Sequence, residues 1–477
     1  MAVDYDLVIV GETLEAREAA AIASRQGARV ALVLSVDRLQ TSLQVDLLGQ
    51  VLTHWGNSSA ATQEGSPSSP TLEADRGWPM LRQAVEMAGQ LAHPHLSLES
   101  LAMQGIDVVT DAGYFSPKPR LVFTTEQRTL TARAYLIACG SHSVIPAIPG
   151  LAESAYITLE TLLSLETQPQ SLAILGRSSA AIALAQTFSN LGIQVTLITR
   201  GERLLPKEDP DVSQFIETLL IAAGVDVRLE SRVERVQSKE NSVVIQLTGS
   251  APILVERLLL ATGPRPAVQG LNLERVGVQQ DSFGLQVNSR LQTTHPRIYA
   301  AGSVLGDSRQ GSFARHEIQI ALHNALYFPT RSLNRHILPY TLGITPELGR
   351  VGLTEMQAHQ AYGADTQVCL STASESVKAH LQEDTIGFCK LVAHRNGKIL
   401  GASLIGPQAG DLVQSLAMLM AEKGKMSRLA TFPAVPHTLT ELLTHTAQQW
   451  QQTRWQPGRW RRDWSENWFN WRRSSQR

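Results

Sequence analysis

Cysteine is scarce in this sequence. Its 477 residues include three cysteines, Cys139, Cys369 and Cys389, and no two of them stand in a CxxC pair. Isolated cysteines of this kind form neither a disulfide framework nor a cysteine-based metal site. We therefore expect a reducing compartment, a cytoplasmic protein and no metal centre.

An excess of charge and a long apolar run are also missing. The formal net charge is -1, which gives no reason to expect nucleic acid as a partner. No apolar run reaches the roughly 18 residues that a membrane-spanning helix needs, and no signal peptide precedes the first predicted strand. The composition, 43% hydrophobic and 18% charged, is that of a globular protein with room for several domains.

What is present begins with a predicted strand, turn, helix and strand. Residues 4–10 form an apolar run that indicates a buried parallel strand, and Gly11 ends it. Residues 13–26 place an Ala-rich face at helical spacing, and residues 29–34 form a second apolar run. This is the opening βαβ unit of a dinucleotide-binding fold, whose helix N-terminus binds a pyrophosphate.

The glycine pattern of that unit is only partly kept. The three positions of a GxGxxG fingerprint are occupied by Gly11, Thr13 and Ala16. Alanine is tolerated at the third position, but Thr13 adds a side chain where the backbone has to approach a phosphate. Leu34 stands where an acidic residue would hold a ribose. The βαβ fold is expected, with a weakened grip on its ligand.

Residues 171–200 repeat the same pattern, as a protein with two dinucleotide sites requires. The fingerprint positions here hold Gly176, Ser178 and Ala181. Thr199 replaces the acid that would bind a 2'-hydroxyl, and Arg200 and Arg203 follow it. Arginines without an acid favour a 2'-phosphate and hence NADPH over NADH. The alternative, a solvated basic turn with no such preference, stays open.

The segment between the two repeats is predicted from local composition. Residues 54–76 are rich in Ser, Pro and Thr and predict a loop or a disordered insertion, and residues 78–92 return to helical spacing. His93 and His95 flank Pro94 without a third ligand nearby, so we interpret them as part of a helix-end loop rather than a metal site. A small β region follows from residue 105.

Several turn motifs then occur in a fixed order along the chain. They are Ala138-Cys139-Gly140-Ser141, Ile148-Pro149-Gly150, Thr262-Gly263-Pro264-Arg265-Pro266, Ile298-Tyr299-Ala300-Ala301-Gly302-Ser303 and Val351-Gly352-Leu353-Thr354-Glu355. With these motifs the chain resembles the pyridine nucleotide-disulfide oxidoreductases, the family of dihydrolipoamide dehydrogenase, glutathione reductase and mercuric reductase. The resemblance covers roughly residues 4–447.

The resemblance implies an α/β fold with two Rossmann-like dinucleotide-binding domains and a C-terminal α+β dimerisation domain. The implied division is residues 1–155 and 265–336 for the FAD-binding domain, 156–264 for the NAD(P)H-binding domain, 337–448 for the dimerisation domain and 449–477 for an added tail. It also implies a homodimer with FAD and either NADPH or NADH as cofactors. The implied cofactor-binding residues are Gly11, Thr13, Ala16, Gly140, Gly176, Ser178, Ala181, Arg200, Gly263, Gly302 and Ser303.

The catalytic parts of the family are altered in this sequence. The family's redox disulfide lies in a CxxxxC helix, but residues 39–51 contain no cysteine. Ser303 replaces an Asp that in the family accepts a hydrogen bond from the flavin's ribityl chain. The family's His-Pro-Thr-Leu-Ser-Glu run corresponds to Pro436-His437-Thr438-Leu439-Thr440-Glu441, in which His and Pro are reversed. On a helix a one-residue shift turns a side chain by about 100°. His437 and Glu441 are therefore weak catalytic candidates, and we favour a structural role at a helix start for His437.

The last part of the chain is rich in tryptophan and arginine. Six of the eight tryptophans lie there: Trp450, Trp455, Trp460, Trp464, Trp468 and Trp471. From Arg454 onward seven arginines stand against Asp463 and Glu466, a net charge of +5. Tryptophan with arginine suits a lipid headgroup zone or an acidic protein surface. A tail packed on its own dimer, or a disordered tail, is the alternative.

Two functions are compatible with these residues. The first is an FAD-dependent NAD(P)H oxidoreductase without a redox-active disulfide, which passes electrons to a quinone, a metal ion or dioxygen. The second is a non-catalytic dimer of the same fold that acts through its tail on a partner or at a membrane surface. Both complete βαβ units favour the first, and the weakened cofactor contacts favour the second.

Overall fold

The computed structural model describes residues 3–34, 74–117, 120–306, 311–454 and 460–474. The chain divides into an N-terminal unit, Met1–Asn334, and a C-terminal unit, Arg335–Arg477. The segment 39–51, which the sequence comparison with the family singles out, lies outside the described residues. Among the helices that are described, none combines the length and apolar character needed to cross a bilayer.

The N-terminal unit contains eighteen described strands. They are β1 Tyr5–Val10, β2 Val30–Val33, β3 Asp107–Val109, β4 Gly113–Ser116, β5 Val122–Thr125, β6 Thr129–Leu130, β7 Ala132–Ile137, β8 Ser141–Ser143, β9 Tyr156–Thr158, β10 Ser171–Gly176, β11 Gln194–Ile198, β12 Asp226–Arg228, β13 Val233–Lys239, β14 Ser242–Leu247, β15 Ile253–Val255, β16 Arg257–Ala261, β17 Pro264–Pro266 and β18 Ile298–Ala300.

Its described α-helices are α1 Leu14–Arg25, α2 Ala74–Ala92, α3 Leu98–Met103, α4 Ser179–Asn190, α5 Pro210–Ala222 and α6 Gly311–Leu326. Short 3-10 turns occupy Pro94–Leu96, Leu162–Ser164, Leu273–Val276 and Ser303–Leu305.

The first predicted βαβ unit is confirmed as β1, α1 and β2. Its strands belong to a parallel five-stranded sheet of order β18-β7-β1-β2-β3. Leu7 of β1 pairs with Val30 on one side and with Ala134 on the other. The central strand is buried along its apolar residues because side chains cover both faces of the sheet.

The second predicted βαβ unit is confirmed as β10, α4 and β11. A second parallel sheet has the order β12-β11-β10-β16-β9, with β10 at its centre. Three small antiparallel sheets, β13-β14-β15, β4-β5-β6 and β17-β8, accompany the parallel ones. The carboxyl ends of β1 and β10 are therefore each followed directly by a helix, which is where ligands bind in open α/β sheets.

Helix α2 corrects one boundary of the sequence prediction. Residues 74–76, which the composition assigns to a loop, form the start of this helix, and residues 54–73 lie outside the described part. The cause is burial further along the helix. Trp78 is 1% exposed, donates from Nε1 to the Leu165 carbonyl oxygen at 3.0 Å and packs its ring against Phe188. Tertiary packing of this kind overrides local composition.

The C-terminal unit has an antiparallel sheet of order β19-β20-β23-β22-β21. Its strands are β19 Tyr340–Leu342, β20 Leu348–Gly352, β21 Thr366–Thr372, β22 Phe388–His394 and β23 Ile399–Ile405. Its helices are α7 Glu355–Tyr362, α8 Val377–Leu381, α9 Ala409–Ala421, α10 Met426–Thr431, α11 Thr440–Thr453 and α12 Trp460–Ser474, with 3-10 turns at Arg335–Ile337, Gly363–Asp365 and Ala373–Glu375.

The core of this unit lies between the sheet and helices α9, α10 and α11. Trp450 on α11 is 1% exposed within that core, beside Gly397. Helix α11 thus continues past residue 448, and Trp450 is a core residue rather than a member of an exposed aromatic face. The arrangement of helices on an antiparallel sheet is the predicted α+β type.

Candidate functional site

The turn after β1 requires glycine. Gly11 has a φ of +148°, and a Cβ at this position would overlap the carbonyl oxygen of Ala138. Ala138 follows β7, the neighbour of β1 in the sheet, so the turn and the end of β7 are in direct contact. We call the site formed by Gly11, Thr13, Ala138 and Gly140 the first cradle.

The hydroxyl group of Thr13 makes two hydrogen bonds that join the two sides of the first cradle. Its Oγ1 donates to the Ala138 carbonyl oxygen at 3.0 Å and accepts from the backbone N–H of Ala16 at 3.2 Å. The second bond makes Thr13 the N-cap of α1, with φ -64° and ψ 160°. The residue is 6% exposed.

Gly140 and Ser303 lie next to Thr13. A Cβ built on Gly140, whose φ is +74°, would lie 2.8 Å from Thr13 Cγ2 and 3.8 Å from Ser303 Oγ. The backbone N–H of Gly302 donates to the Glu317 carboxylate at 2.9 Å, and Glu317 is a buried residue of α6. The structure therefore brings together predicted residues from three separate parts of the sequence.

Glu317 was not found by sequence reasoning. Its signal in the sequence is an acidic residue within an otherwise apolar helical face of α6, which predicts a buried partner. The charged residues of α1 were missed as well. Burial raises the pKa of the Glu15 carboxyl and lowers that of the Arg17 guanidinium, which donates from Nη1 to the Leu96 carbonyl oxygen at 3.5 Å.

The second cradle, formed by Gly176, Ser178 and Ala261, repeats the first. A Cβ on Gly176, with φ +155°, would overlap the carbonyl oxygen of Ala261. Ser178 Oγ donates to that oxygen at 3.3 Å and accepts from the backbone N–H of Ala181 at 3.2 Å. Ala181 is fully buried, as Ala16 is in the first cradle. Gly263, with φ +113°, follows two residues after Ala261, and its carbonyl oxygen accepts from the Val144 N–H.

Three arginines occur around the end of β11. Thr199 is buried and accepts a hydrogen bond from the Gly201 N–H at 3.2 Å. The guanidinium of Arg177 lies against Gly201 so closely that a Cβ there would overlap it. Arg200 is exposed, and Arg203 donates to the Pro206 carbonyl oxygen at 3.2 Å. Arg177 was missed because it lies in the glycine turn, 23 positions before Arg200, and only the sheet brings the two regions together.

All three cysteine side chains are buried. Cys139 Sγ donates to the Val10 carbonyl oxygen at 3.2 Å. Burial raises the pKa of the Cys369 thiol to about 11 and that of the Cys389 thiol to about 12. A thiolate is the reactive form of cysteine, so neither residue is a nucleophile near neutral pH.

The backbone of His437 contacts the side chain of Glu441. The N–H of His437 donates to Glu441 Oε2 at 3.1 Å, and the histidine itself is exposed with a φ of +59°. Glu441 thereby holds the turn that leads into α11. Whether either side chain takes part in catalysis stays a prediction.

A different histidine–carboxylate pair joins α11 to the 3-10 turn Ala373–Glu375. Nδ1 of His445 is 3.1 Å from Glu375 Oε2 and 3.4 Å from Ser371 Oγ. Together with Glu441 the pair lines a cavity of about 480 Å³. His445 follows Glu441 by four residues, so helical spacing was the signal that could have indicated it. Among the described residues no group of three or more His, Cys, Asp or Glu side chains is arranged to hold a metal ion.

Helix α12 carries a ladder of exposed tryptophans. The rings of Trp464 and Trp468 stack with centroids 5.9 Å apart at 7°, and Trp468 and Trp471 lie 5.1 Å apart. Their exposures are 61%, 43% and 58%. Their spacing of four and three residues therefore places these three rings on one face of α12. Arg462 pairs with Glu466 at 2.8 Å on the same helix.

Comparison with known proteins identifies the family. The sequence pattern described as "Pyridine nucleotide-disulphide oxidoreductase" matches residues 5–323, and the dimerisation-domain pattern of the same name matches residues 338–447. The chain belongs to the pyridine nucleotide-disulphide oxidoreductase family. The resemblance inferred from the turn motifs is confirmed.

Relatives of this family member include two mercuric reductases. The one from Staphylococcus aureus is 29% identical over 425 residues, covering 87% of this chain and 77% of that protein. The one from Streptomyces lividans is 32% identical over 460 residues, covering 93% and 96%. The Cu(II) complex of the flavoprotein disulfide reductase RclA from Escherichia coli has a TM-score of 0.80 at 26% identity, covering 94% of this chain and all of that one.

Membership of the oxidoreductase family supports an FAD-dependent oxidoreductase that forms a homodimer through its C-terminal domain. The predicted fold class is confirmed. The first cradle fits an FAD pyrophosphate on its backbone side, because the Gly11 turn and the start of α1 are in place and residue 140 is a glycine. Thr13 departs from the glycine pattern in this cradle and adds a side chain beside Gly140.

Proposed function

We propose that the chain is an FAD-dependent NAD(P)H oxidoreductase that works without a redox-active disulfide. This proposal depends on the burial and protonation of the cysteine side chains. The three cysteines are buried, none stands in a CxxxxC spacing, and the Cys369 and Cys389 thiols have pKa values of about 11 and 12. Dithiol exchange needs an accessible thiolate pair. The electron acceptor is then a non-disulfide: a quinone, a metal ion or dioxygen.

The first cradle holds FAD in this proposal. When bound, FAD supplies the hydride and electron chemistry. Gly11, Gly140 and the start of α1 would hold the pyrophosphate, and Ser303 would offer a hydroxyl where the family has a carboxylate. A hydroxyl both donates and accepts a hydrogen bond, so Ser303 still has a polar contact to offer.

The second cradle holds the nicotinamide dinucleotide, and we propose NADPH over NADH. Support comes from the end of β11, where Thr199 replaces an acid and Arg177, Arg200 and Arg203 supply positive charge. A guanidinium recognises a phosphate through charge-assisted hydrogen bonds. We propose the domain division accordingly: residues 1–155 and 265–336 for FAD, 156–264 for NAD(P)H, 337–448 for dimerisation and 449–477 as a tail.

A metal ion is supported among the acceptors by the relatives. Several of them are named mercuric reductase, and one structural neighbour was solved as a Cu(II) complex. Quinone and dioxygen need no thiolate ligand and stay equally compatible with the buried cysteines.

One observation favours an additional role for the tail. The ladder of Trp464, Trp468 and Trp471 is exposed on α12, and Arg472 and Arg473 end the same helix. We propose that the tail of residues 449–477, through its part beyond α11, contacts a membrane surface or an acidic protein, since indole rings beside arginines suit both. If FAD is not bound, a non-catalytic dimer acting through this tail is the remaining function.

An absorbance spectrum of the purified full-length protein tests the enzyme proposal. We expect a flavin spectrum that bleaches on anaerobic addition of NADPH and recovers when air, a quinone or Cu(II) is added. Pretreatment with iodoacetamide should change neither step. A colourless protein that takes up no added FAD contradicts the proposal, and loss of reoxidation after alkylation would restore a thiol mechanism.

A further inference from the structure

The two cradles share a hydrogen-bond arrangement that the glycine pattern does not contain. In each, a hydroxyl at the second glycine position links the helix to the neighbouring strand. Thr13 joins the Ala16 N–H to the Ala138 carbonyl, at 3.2 and 3.0 Å. Ser178 joins the Ala181 N–H to the Ala261 carbonyl, at 3.2 and 3.3 Å.

The arrangement arises from the side chains and not from the backbone. Thr13 has φ -64° and ψ 160°, and Ser178 has φ -74° and ψ 163°. Both are ordinary extended conformations that glycine and other residues adopt equally. By contrast, Gly11 and Gly176 cannot be replaced, because a Cβ at either would overlap a carbonyl oxygen. The first glycine is fixed by the fold, whereas the second position is free to set ligand contacts.

A hydroxyl at this place competes with a dinucleotide. The N–H groups at a helix start are the donors that bind a pyrophosphate oxygen, and each hydroxyl already accepts one of them. In the first cradle the methyl group of Thr13 also occupies space beside Gly140, since a Cβ built on Gly140 would lie 2.8 Å from Thr13 Cγ2.

We propose that Thr13 and Ser178 set the affinity of the chain for its two dinucleotides. Each hydroxyl supplies from within the protein a contact that a phosphate oxygen supplies in an open cradle. FAD in the first cradle and NADPH in the second are therefore held as dissociable ligands. This inference rests on the proposed function for the identity of the two ligands.

The test replaces each hydroxyl by glycine in the full-length protein. An N-cap Thr or Ser changed to Gly costs only a few tenths of a kcal/mol, so T13G and S178G are expected to fold. The matched control is Ser97→Gly, because Ser97 is an N-cap with φ -63° and ψ 155° that accepts from the Ser100 N–H at 3.1 Å outside both cradles. FAD is titrated by flavin fluorescence and NADPH by nicotinamide fluorescence.

We expect T13G to lower the Kd for FAD about tenfold, since one charge-assisted hydrogen bond becomes available to the phosphate. The Kd for NADPH should not change in T13G. S178G should show the reverse pattern, and S97G should match the unsubstituted protein for both ligands. The separation of the two effects is the signature that a general loosening of the structure would not produce.

Unchanged or weaker FAD binding in T13G, or an equal gain in S97G, overturns the inference. Its failure differs from failure of the proposed function. If the unsubstituted protein and T13G bind FAD equally tightly, the proposed function stands and the inference is wrong. If only T13G binds FAD, the inference stands and the proposed function is wrong. If neither protein binds FAD, both the inference and the proposed function are wrong.

Discussion

The buried carboxylate of Glu317 holds the backbone N–H of Gly302 at 2.9 Å, and so ties α6 to the turn after β18. Gly302 precedes Ser303, the residue beside the first cradle. We expect Glu317→Ala to lower the free energy of unfolding by about 1.5–3 kcal/mol, the range for a hydrogen bond to a charged group. Urea denaturation of the purified variant measures this loss.

The control for this prediction is Glu18→Ala. Glu18 pairs with Arg315 of the same helix at 3.2 Å, but the arginine is 55% exposed. An exposed ion pair contributes about 0–1 kcal/mol. If the two variants lose the same free energy of unfolding, the buried hydrogen bond of Glu317 contributes no more than an exposed ion pair.

Arg200 is expected to set the preference for NADPH. Changing it to Gln should raise the KM for NADPH about tenfold and leave the KM for NADH unchanged, because only NADPH carries a 2'-phosphate. The exposed Arg235 on β13 provides the control, as Arg235→Gln removes the same charge far along the chain from the second cradle. Steady-state kinetics with both cofactors measures the two KM values. An equal rise in the KM for NADH would argue against a contact between Arg200 and the 2'-phosphate.

The cysteines are expected to resist alkylation in the folded protein. With pKa values raised to about 11 for Cys369 and about 12 for Cys389, both remain protonated at pH 8. Iodoacetamide at pH 8 should label neither in buffer and both in urea, as mass spectrometry will report. The stability that these protonated thiols contribute is complete below the unfolded-state pKa of roughly 8.5 and is lost as the pH rises through the folded values. Labelling in buffer as fast as in urea contradicts their burial.

His437 is expected to be dispensable for turnover. Its φ of +59° favours glycine, and its contact with Glu441 is made by the backbone N–H, which glycine keeps. We expect His437→Gly to retain the rate of flavin reduction and reoxidation, whereas loss of a general base costs about 10²–10⁴-fold. A stopped-flow comparison that found such a loss would return His437 to the catalytic site.

The tryptophan ladder is expected to carry the tail's surface contact. The full-length protein should sediment with vesicles that contain anionic lipid, and a W464A/W468A/W471A variant should remain in the supernatant. Phe283→Ala removes a single aromatic side chain of 72% exposure from the other unit and should leave sedimentation unchanged. Failure of the full-length protein to sediment would leave an acidic protein as the proposed contact.

The sequence was sufficient for the architecture because the architecture depends on local patterns. Apolar runs bounded by Gly11 and Gly176 marked both central strands, and the structure has them as β1 and β10. The start of α2 was misjudged because the burial of Trp78 depends on residues more than 80 positions away. Such contacts leave no trace in local composition.

The sites were only partly accessible to sequence reasoning. Thr13 and Ser178 were visible as departures from a glycine pattern, but that each caps its helix and binds a strand carbonyl required coordinates. Arg177, Glu317 and His445 were missed because their partners come from other elements, and a single sequence does not record which elements are adjacent.

The burial of all sulfhydryl groups has a consequence for chemical stress. A reductase that relies on an exposed dithiol is stopped when hypochlorite, peroxide or a soft heavy-metal ion captures that pair. Here Cys139, Cys369 and Cys389 all lie in the interior. Reagents that inactivate thiol enzymes therefore find no accessible cysteine on this fold. In the proposed enzyme we expect electron transfer to continue under conditions that stop a reductase with an exposed dithiol.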